Sequence, residues 1–270
     1  MITRIIAGGG LVAVLLVTFL LLPKVCAAVL FSLMAAIAAY ELTKGTGLVK
    51  NVRLMTYAMV CAFLVPLWGY FGMVYAWGLV GILVFISLMY MELLLSKGKL
   101  PYAEVAVSFM AGVVVPFLFS AVVRIFARGN GIYLVFIPFV LAFCSDTGAY
   151  FTGRFFGKHK LAPVVSPNKT VEGVIGGVLF TVLVMIIYCL VMQFGFRLKV
   201  NYLYAVIYGI AGAMAGVFGD LSFSAIKRQT GIKDYGNLIP GHGGILDRFD
   251  SMTLVAPLTE ALLLLIPVVS

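Results

Sequence analysis

Charge is what this sequence has least of. Only 11% of its 270 residues are Asp, Glu, Lys or Arg, against roughly 25% in soluble domains. So few charges cannot cover a water-facing surface, which excludes an ordinary soluble globule. Histidine is nearly missing, with only His159 and His242. The four cysteines, Cys26, Cys61, Cys144 and Cys189, are scattered through apolar stretches without CxxC spacing. That excludes a zinc centre and leaves the thiols as small buried hydrophobes. Acidic residues are scarcer than basic ones, ten against nineteen, for a net charge of +9. The excess sits in short loops between apolar runs, and the aromatics lie inside those runs. It therefore speaks for membrane topology and lipid headgroups, not for nucleic acid.

What is abundant is apolar sequence: 63% of residues are hydrophobic, with mean hydropathy +1.14. The apolar blocks are long enough to cross a bilayer, for which roughly 20 residues suffice at a rise of about 1.5 Å each. The pattern predicts an all-α polytopic integral membrane protein of about nine transmembrane helices, near 5–22, 25–42, 54–72, 74–95, 104–125, 131–151, 171–195, 202–226 and 251–269. The division between the third and fourth rests only on a tight turn at Gly69, Tyr70 and Gly72. The first run has one basic residue and a superficial likeness to a signal peptide. Without a small-residue cleavage site, it reads as a retained first helix. With Met1 in the cytoplasm, 14 basic residues fall on the cytoplasmic side and 5 outside, accounting for all 19. The positive-inside rule thus puts the N-terminus in the cytoplasm and the C-terminus outside.

The two halves differ. Residues 1–125, about five helices, hold almost no polar group inside a span and read as scaffold. Residues 126–270, about four helices, contain all five aspartates and two long polar loops, 152–170 and 227–250. No internal repeat is visible, unlike many secondary transporters. Glycines at Gly8–Gly10 and Gly112 suggest helix faces for a homodimer.

Asp146 sits late in an apolar span within FCSDTGAYFTGRFFGKHKL, where an ionisable group needs a partner or a water-filled cavity. Asp220, in AGVFGDLSFSAIKRQ, is a second intramembrane carboxylate, 7 residues before Lys227; Asp146 lies 8 before Arg154. On a helix these are depths of roughly 10 and 12 Å below the basic edge. Both spans exit to the cytoplasm in this topology, so the two carboxylates can converge on one cation. Asp247 and Asp250 share a helical face at i, i+3 in PGHGGILDRFDS, where capping alone would also explain Asp250. The glycines of that loop allow close approach of phosphate oxygens to backbone N–H groups. Lys227, Arg228, Lys233 and Arg248 surround the loop in sequence, and Lys169 lies in SPNKT. Carboxylates, glycines and cations at one membrane face suit polyphosphate with Mg²⁺, and so phosphoryl or nucleotidyl transfer to a lipid. Spacing and charge do not distinguish CTP from ATP, or one lipid from another.

The run Ser224–Asp250, SAIKRQTGIKDYGNLIPGHGGILDRFD, resembles the signature of the phosphatidate cytidylyltransferase family at every fixed position over 27 residues. SDTGAYFTGRFFGKHKL and SPNKTVEG are similar to that family too; the first 125 residues match only in general character. The resemblance implies transfer of CMP from CTP to phosphatidic acid, giving CDP-diacylglycerol and pyrophosphate in phospholipid biosynthesis. It implies Asp220 and Asp247 as principal Mg²⁺ ligands, supported by Asp146 and Asp250, with a second cation such as K⁺ sharing them. Lys227 joins the catalytic group. Lys169, Arg228, Lys233 and Arg248 are expected to hold phosphates, with Ser166, Asn168, Ser222, Ser224, His242, Gly243 and Gly244 as further substrate contacts. The implied location is a bacterial inner membrane with the site facing the cytoplasm. Rival readings are a CTP-dependent lipid kinase, such as a polyprenol kinase, and a cation-coupled transporter. A transporter has no need of a glycine-rich loop beside several cations.

Overall fold

The computed structural model of the chain describes residues 2–72, 77–239, 241 and 243–269. Thirteen helices and one small hairpin follow in order: α1 (Ile2–Leu20), α2 (Lys24–Tyr40), α3 (Val52–Phe71), α4 (Leu79–Leu95), α5 (Tyr102–Phe109), α6 (Val115–Phe119), α7 (Ala121–Ala127), α8 (Gly131–Leu134), α9 (Phe136–Phe156), β1 (Lys160–Ala162), β2 (Ser166–Thr170), α10 (Val171–Phe196), α11 (Tyr202–Gln229), α12 (Leu246–Phe249) and α13 (Met252–Leu265). Single π-helical turns continue α2 over Glu41–Gly45 and join α5 to α6 over Met110–Val114.

The architecture is that of an all-α polytopic membrane protein, with the hairpin as its one strand pair among the described residues. Six helical runs there are long and apolar enough to cross a membrane: Lys24–Gly45, Val52–Phe71, Tyr102–Ala127, Gly131–Phe156, Val171–Phe196 and Tyr202–Gln229. They fall on the second, third, fifth, sixth, seventh and eighth expected spans. Shorter apolar helices, Gly8–Leu20, Leu79–Leu95 and Met252–Leu265, fall on the other three. The turn expected at Gly69, Tyr70 and Gly72 starts later, because Gly69 and Tyr70 stay inside α3 and Gly72 caps that helix at φ 66°; residues 73–76 lie outside the described residues.

Two compact units divide the chain, and each takes two stretches of sequence. One consists of Met1–Arg128 with Lys227–Phe249; the other of Gly129–Ile226 with Asp250–Ser270. The second of the three divisions, between Ile226 and Lys227, falls inside the last turn of α11.

In the first unit, aromatic packing and buried carboxylates order the helices. Phe19, Phe31, Phe119 and Phe126 stack at centroid distances of 5.1–6.1 Å, and Phe249 of α12 meets Phe119 edge-on at 5.4 Å. Gly112 is buried, and a Cβ there would come within 3.0 Å of the Ala58 Cα. Its smallness serves close approach to α3 inside the unit, so it is not an outward dimer face. Asn51 caps α3 by accepting from the Arg53 and Leu54 amides, while Glu104 accepts from Lys50 and Asn51.

In the second unit, α9 and α10 are held nearly backbone to backbone. A Cβ on Gly177 would lie 2.8 Å from the Ser145 carbonyl oxygen, and one on Gly148 would lie 3.1 Å from the Gly177 Cα. The glycines of SDTGAYFTG and VEGVIGG therefore meet across one helix pair, a small-residue contact of the kind bilayers favour. Between these helices the hairpin pairs Lys160 with Thr170 and Ala162 with Ser166. Thr170 then caps α10 through the Gly173 amide at 3.1 Å. Glu172 accepts from the Lys158 and His159 amides and pairs with His159 Nδ1. That binds the polar loop to the helix start and gives both residues a structural task.

Candidate active site

Among the described residues, each unit carries a cluster of the candidate side chains. In the second unit the close α9–α10 contact and the hairpin bring Asp146 of α9, Asn168 and Lys169 of β2, Thr170 and Asp220 of α11 around a cavity of about 270 Å³. Lys169 Nζ, shielded from solvent, meets Asp220 Oδ2 at 2.5 Å. The two groups form an ion pair. The other carboxylate oxygen of Asp220 accepts from the Ser224 hydroxyl one helical turn on, at 3.1 Å. Ser222 donates instead to the Phe218 carbonyl at 2.8 Å, inside its own helix. Ser166 opens β2, opposite Ala162. Asp250 stands before α13, where its Oδ1 accepts the Ser251 amide at 2.7 Å.

In the first unit the run after α11 folds back so that Asp247 is enclosed. Its Oδ1 accepts from Lys227 Nζ at 2.8 Å, and its Oδ2 accepts from the Tyr235 and Gly244 amides at 2.7 and 3.0 Å. The side chain is 1% exposed, and that of Lys227 is 11% exposed. Lys227 also sits 5.4 Å from the centroid of the Tyr235 ring. A carboxylate offers about four acceptor positions; three are taken, and the one left is on Oδ1. Gly243, at φ +83°, and Gly244 supply the tight backbone this enclosure needs; a Cβ on Gly243 would lie 2.9 Å from Asp247 Oδ2. Ile239 N donates to Gly243 O at 2.9 Å, closing the loop.

Beside it lies a polar cavity of about 600 Å³ walled by Lys233, Asp234, Asn237, Gly243 and Arg248. Arg228 ends α11 and is exposed. His242, expected among the substrate contacts, lies outside the described residues.

Sequence reasoning passed over two participants. Tyr235 holds Asp247 through its backbone amide, which no side-chain pattern announces. Glu41 accepts the Ile245 and Leu246 amides at 3.0 and 2.8 Å. It carried the same signal as the aspartates, an ionisable group at the end of an apolar span.

Asp146, Asp220 and Asn168 offer hard oxygen donors around one cavity, a set that fits Mg²⁺, which binds few protein ligands and keeps waters or phosphate oxygens for the rest. Among the described residues no group of three or more His, Cys, Asp or Glu gathers as a ready-made metal cage. The lysine contacts against Asp220 and Asp247 mark both as places where positive charge is favourable. Cations beside carboxylates around polar cavities suit the handling of phosphate esters.

Known proteins are similar to this chain in sequence. The profile of the cytidylyltransferase family matches residues 2–266. A Bacillus subtilis protein named phosphatidate cytidylyltransferase is 33% identical over 264 residues, covering 96% of this chain and 97% of that protein. Proteins of the same name from Staphylococcus epidermidis and Staphylococcus aureus are 42% and 38% identical over 170 residues, which is 63% of this chain and 63% of each of them. A match running nearly from end to end leaves one conclusion: the chain belongs to the cytidylyltransferase family.

Proposed function

We propose that the chain is a phosphatidate cytidylyltransferase, moving CMP from CTP to phosphatidic acid to give CDP-diacylglycerol and pyrophosphate for phospholipid biosynthesis. The observation that carries this reading is the folded form of the signature segment. It buries Asp247 against Lys227 and sets a cavity of about 600 Å³, with Lys233 and Arg248 on its wall, beside that pair. The printed name of the Bacillus subtilis relative points the same way.

In this reaction a phosphate oxygen of phosphatidate forms a bond to the α-phosphorus of CTP. The bond from that phosphorus to the bridging oxygen breaks, and pyrophosphate leaves. The attacking phosphate is already anionic near pH 7, so no side chain has to remove a proton. What the protein supplies is position and charge neutralisation. Lys233 and Arg248, with Arg228 and Lys169, are assigned to phosphate oxygens, and Ser224 orients Asp220. Asp146, Asp220, Asp247 and Asp250 are the carboxylates assigned to Mg²⁺, with K⁺ as a candidate second cation. When bound, Mg²⁺ would draw charge from the phosphates and ease departure of pyrophosphate.

The same proposal includes nine membrane crossings, a cytoplasmic N-terminus, an outer C-terminus and a site at the cytoplasmic face of a bacterial inner membrane. The 14 to 5 bias of basic residues supports that orientation. A homodimer is proposed as well, with Gly8–Gly10 as the candidate helix face. The test is pyrophosphate release by purified protein given CTP and Mg²⁺. Release that depends on added phosphatidate supports the reading; its absence defeats it.

A further inference from the structure

The helical scaffold of residues 1–125 contributes a side chain to the loop that carries Asp247. Glu41, 4% exposed, ends α2 where the helix widens into a π-helical turn. Its Oε1 accepts the Ile245 amide at 3.0 Å and its Oε2 the Leu246 amide at 2.8 Å, across separations of 204 and 205 residues. The preceding amide, Gly244, donates to Asp247 Oδ2 at 3.0 Å. Three consecutive peptide N–H groups are thus divided between two carboxylates, which fixes the plane of each peptide leading into Asp247. The glycines on either side are explained by the same carboxylate. A Cβ on Gly236 would lie 2.6 Å from Glu41 Oε1, and one on Gly244 would press on the same oxygen. Both glycines leave room for the carboxylate.

We propose that Glu41 is a positioning residue for nucleotidyl transfer, holding residues 244–246 so that Asp247 meets Lys227 and the Tyr235 amide. The proposal rests on the reading that Asp247 serves the reaction. Without the carboxylate, two buried amides lose their acceptor, and the segment must rearrange to find others. Substrate-binding cations such as Lys233 and Arg248 keep their side chains, so the loss appears in turnover more than in affinity.

The test compares Glu41→Ala and Glu41→Gln, purified in detergent, by kcat, by KM for CTP and phosphatidate, and by amide hydrogen exchange. Two hydrogen bonds to a charged acceptor predict a kcat about a hundredfold lower for Glu41→Ala, and about tenfold lower for Glu41→Gln, which keeps one acceptor oxygen. Both KM values stay within about threefold, and exchange over residues 243–248 quickens at least about tenfold in Glu41→Ala while α2 and α3 are unchanged. Full kcat in Glu41→Ala overturns the proposal. So does faster exchange throughout α2 and α3 in both variants, which would make Glu41 a general support of the fold. Asp247→Asn in the same assay separates the two levels. Full turnover in it defeats the site reading itself, whereas an inactive Asp247→Asn beside a fully active Glu41→Ala defeats only the role of Glu41.

Discussion

Lys227–Asp247 in one unit and Lys169–Asp220 in the other join the same two chemical groups under different conditions. Asp247 is sealed, with side chains 1% and 11% exposed across the pair, and two backbone amides share its second oxygen. Asp220 is on a cavity wall, and its pair is 25% and 21% exposed. A sealed pair resists exchange of partners, because separating the charges leaves each in a poor solvent. A cavity-wall pair can trade its lysine contact for a phosphate or a metal at small cost. On the proposed function, the difference would have Asp247 hold the loop as well as serve the chemistry, and Asp220 serve the chemistry alone.

Removing Asp247 should have the largest effect. Asp247→Ala is expected to abolish turnover and to lower stability by about 3–5 kcal/mol, since it strands a buried ammonium and orphans two amides. Unfolding of the purified protein, followed alongside activity, checks both halves; an unchanged stability would break the contrast. Asp220→Ala should abolish turnover equally yet lower stability by only about 1–2 kcal/mol, because its partners are the side chains of Lys169 and Ser224 and not backbone amides. Near-normal turnover in that variant would remove Asp220 from the site.

Lys169→Ala should raise KM for a substrate by about tenfold, the loss of roughly 1.4 kcal/mol of binding, with kcat within about threefold. Steady-state kinetics identical to those of the unaltered protein would take Lys169 out of the cavity's function. The smallest effect is expected from Ser222→Ala, whose hydroxyl is already spent on the Phe218 carbonyl. Its activity should stay within about twofold, while Ser224→Ala, which removes the donor to Asp220, should lose more.

Much of the second unit was legible in the sequence. Asp146 and Asp220 stood out as carboxylates in apolar runs, and the two glycine-bearing segments proved to be one helix contact. The hairpin at 160–170 was not legible, because strands of 3 and 5 residues around Pro163 and Pro167 carry no period to read. The first unit concealed more. Residues 1–125 read as scaffold because their polar side chains are isolated in sequence, and no local pattern ties Glu41 to Ile245 or Leu246. Nor could spacing reveal that Asp247 is held by the backbone of Tyr235, since amide donors leave no trace in residue identity. What sequence supplied was the chemistry of the side chains; what it withheld was the long-range hydrogen bonding that aims them.

The fate of the α-phosphate tests the central claim most directly. Purified protein should be given phosphatidate, Mg²⁺ and CTP labelled at either the α- or the γ-phosphorus. The account predicts that α-label enters the lipid fraction and γ-label leaves as pyrophosphate. γ-Label in the lipid with release of CDP, as a lipid kinase would produce, contradicts it.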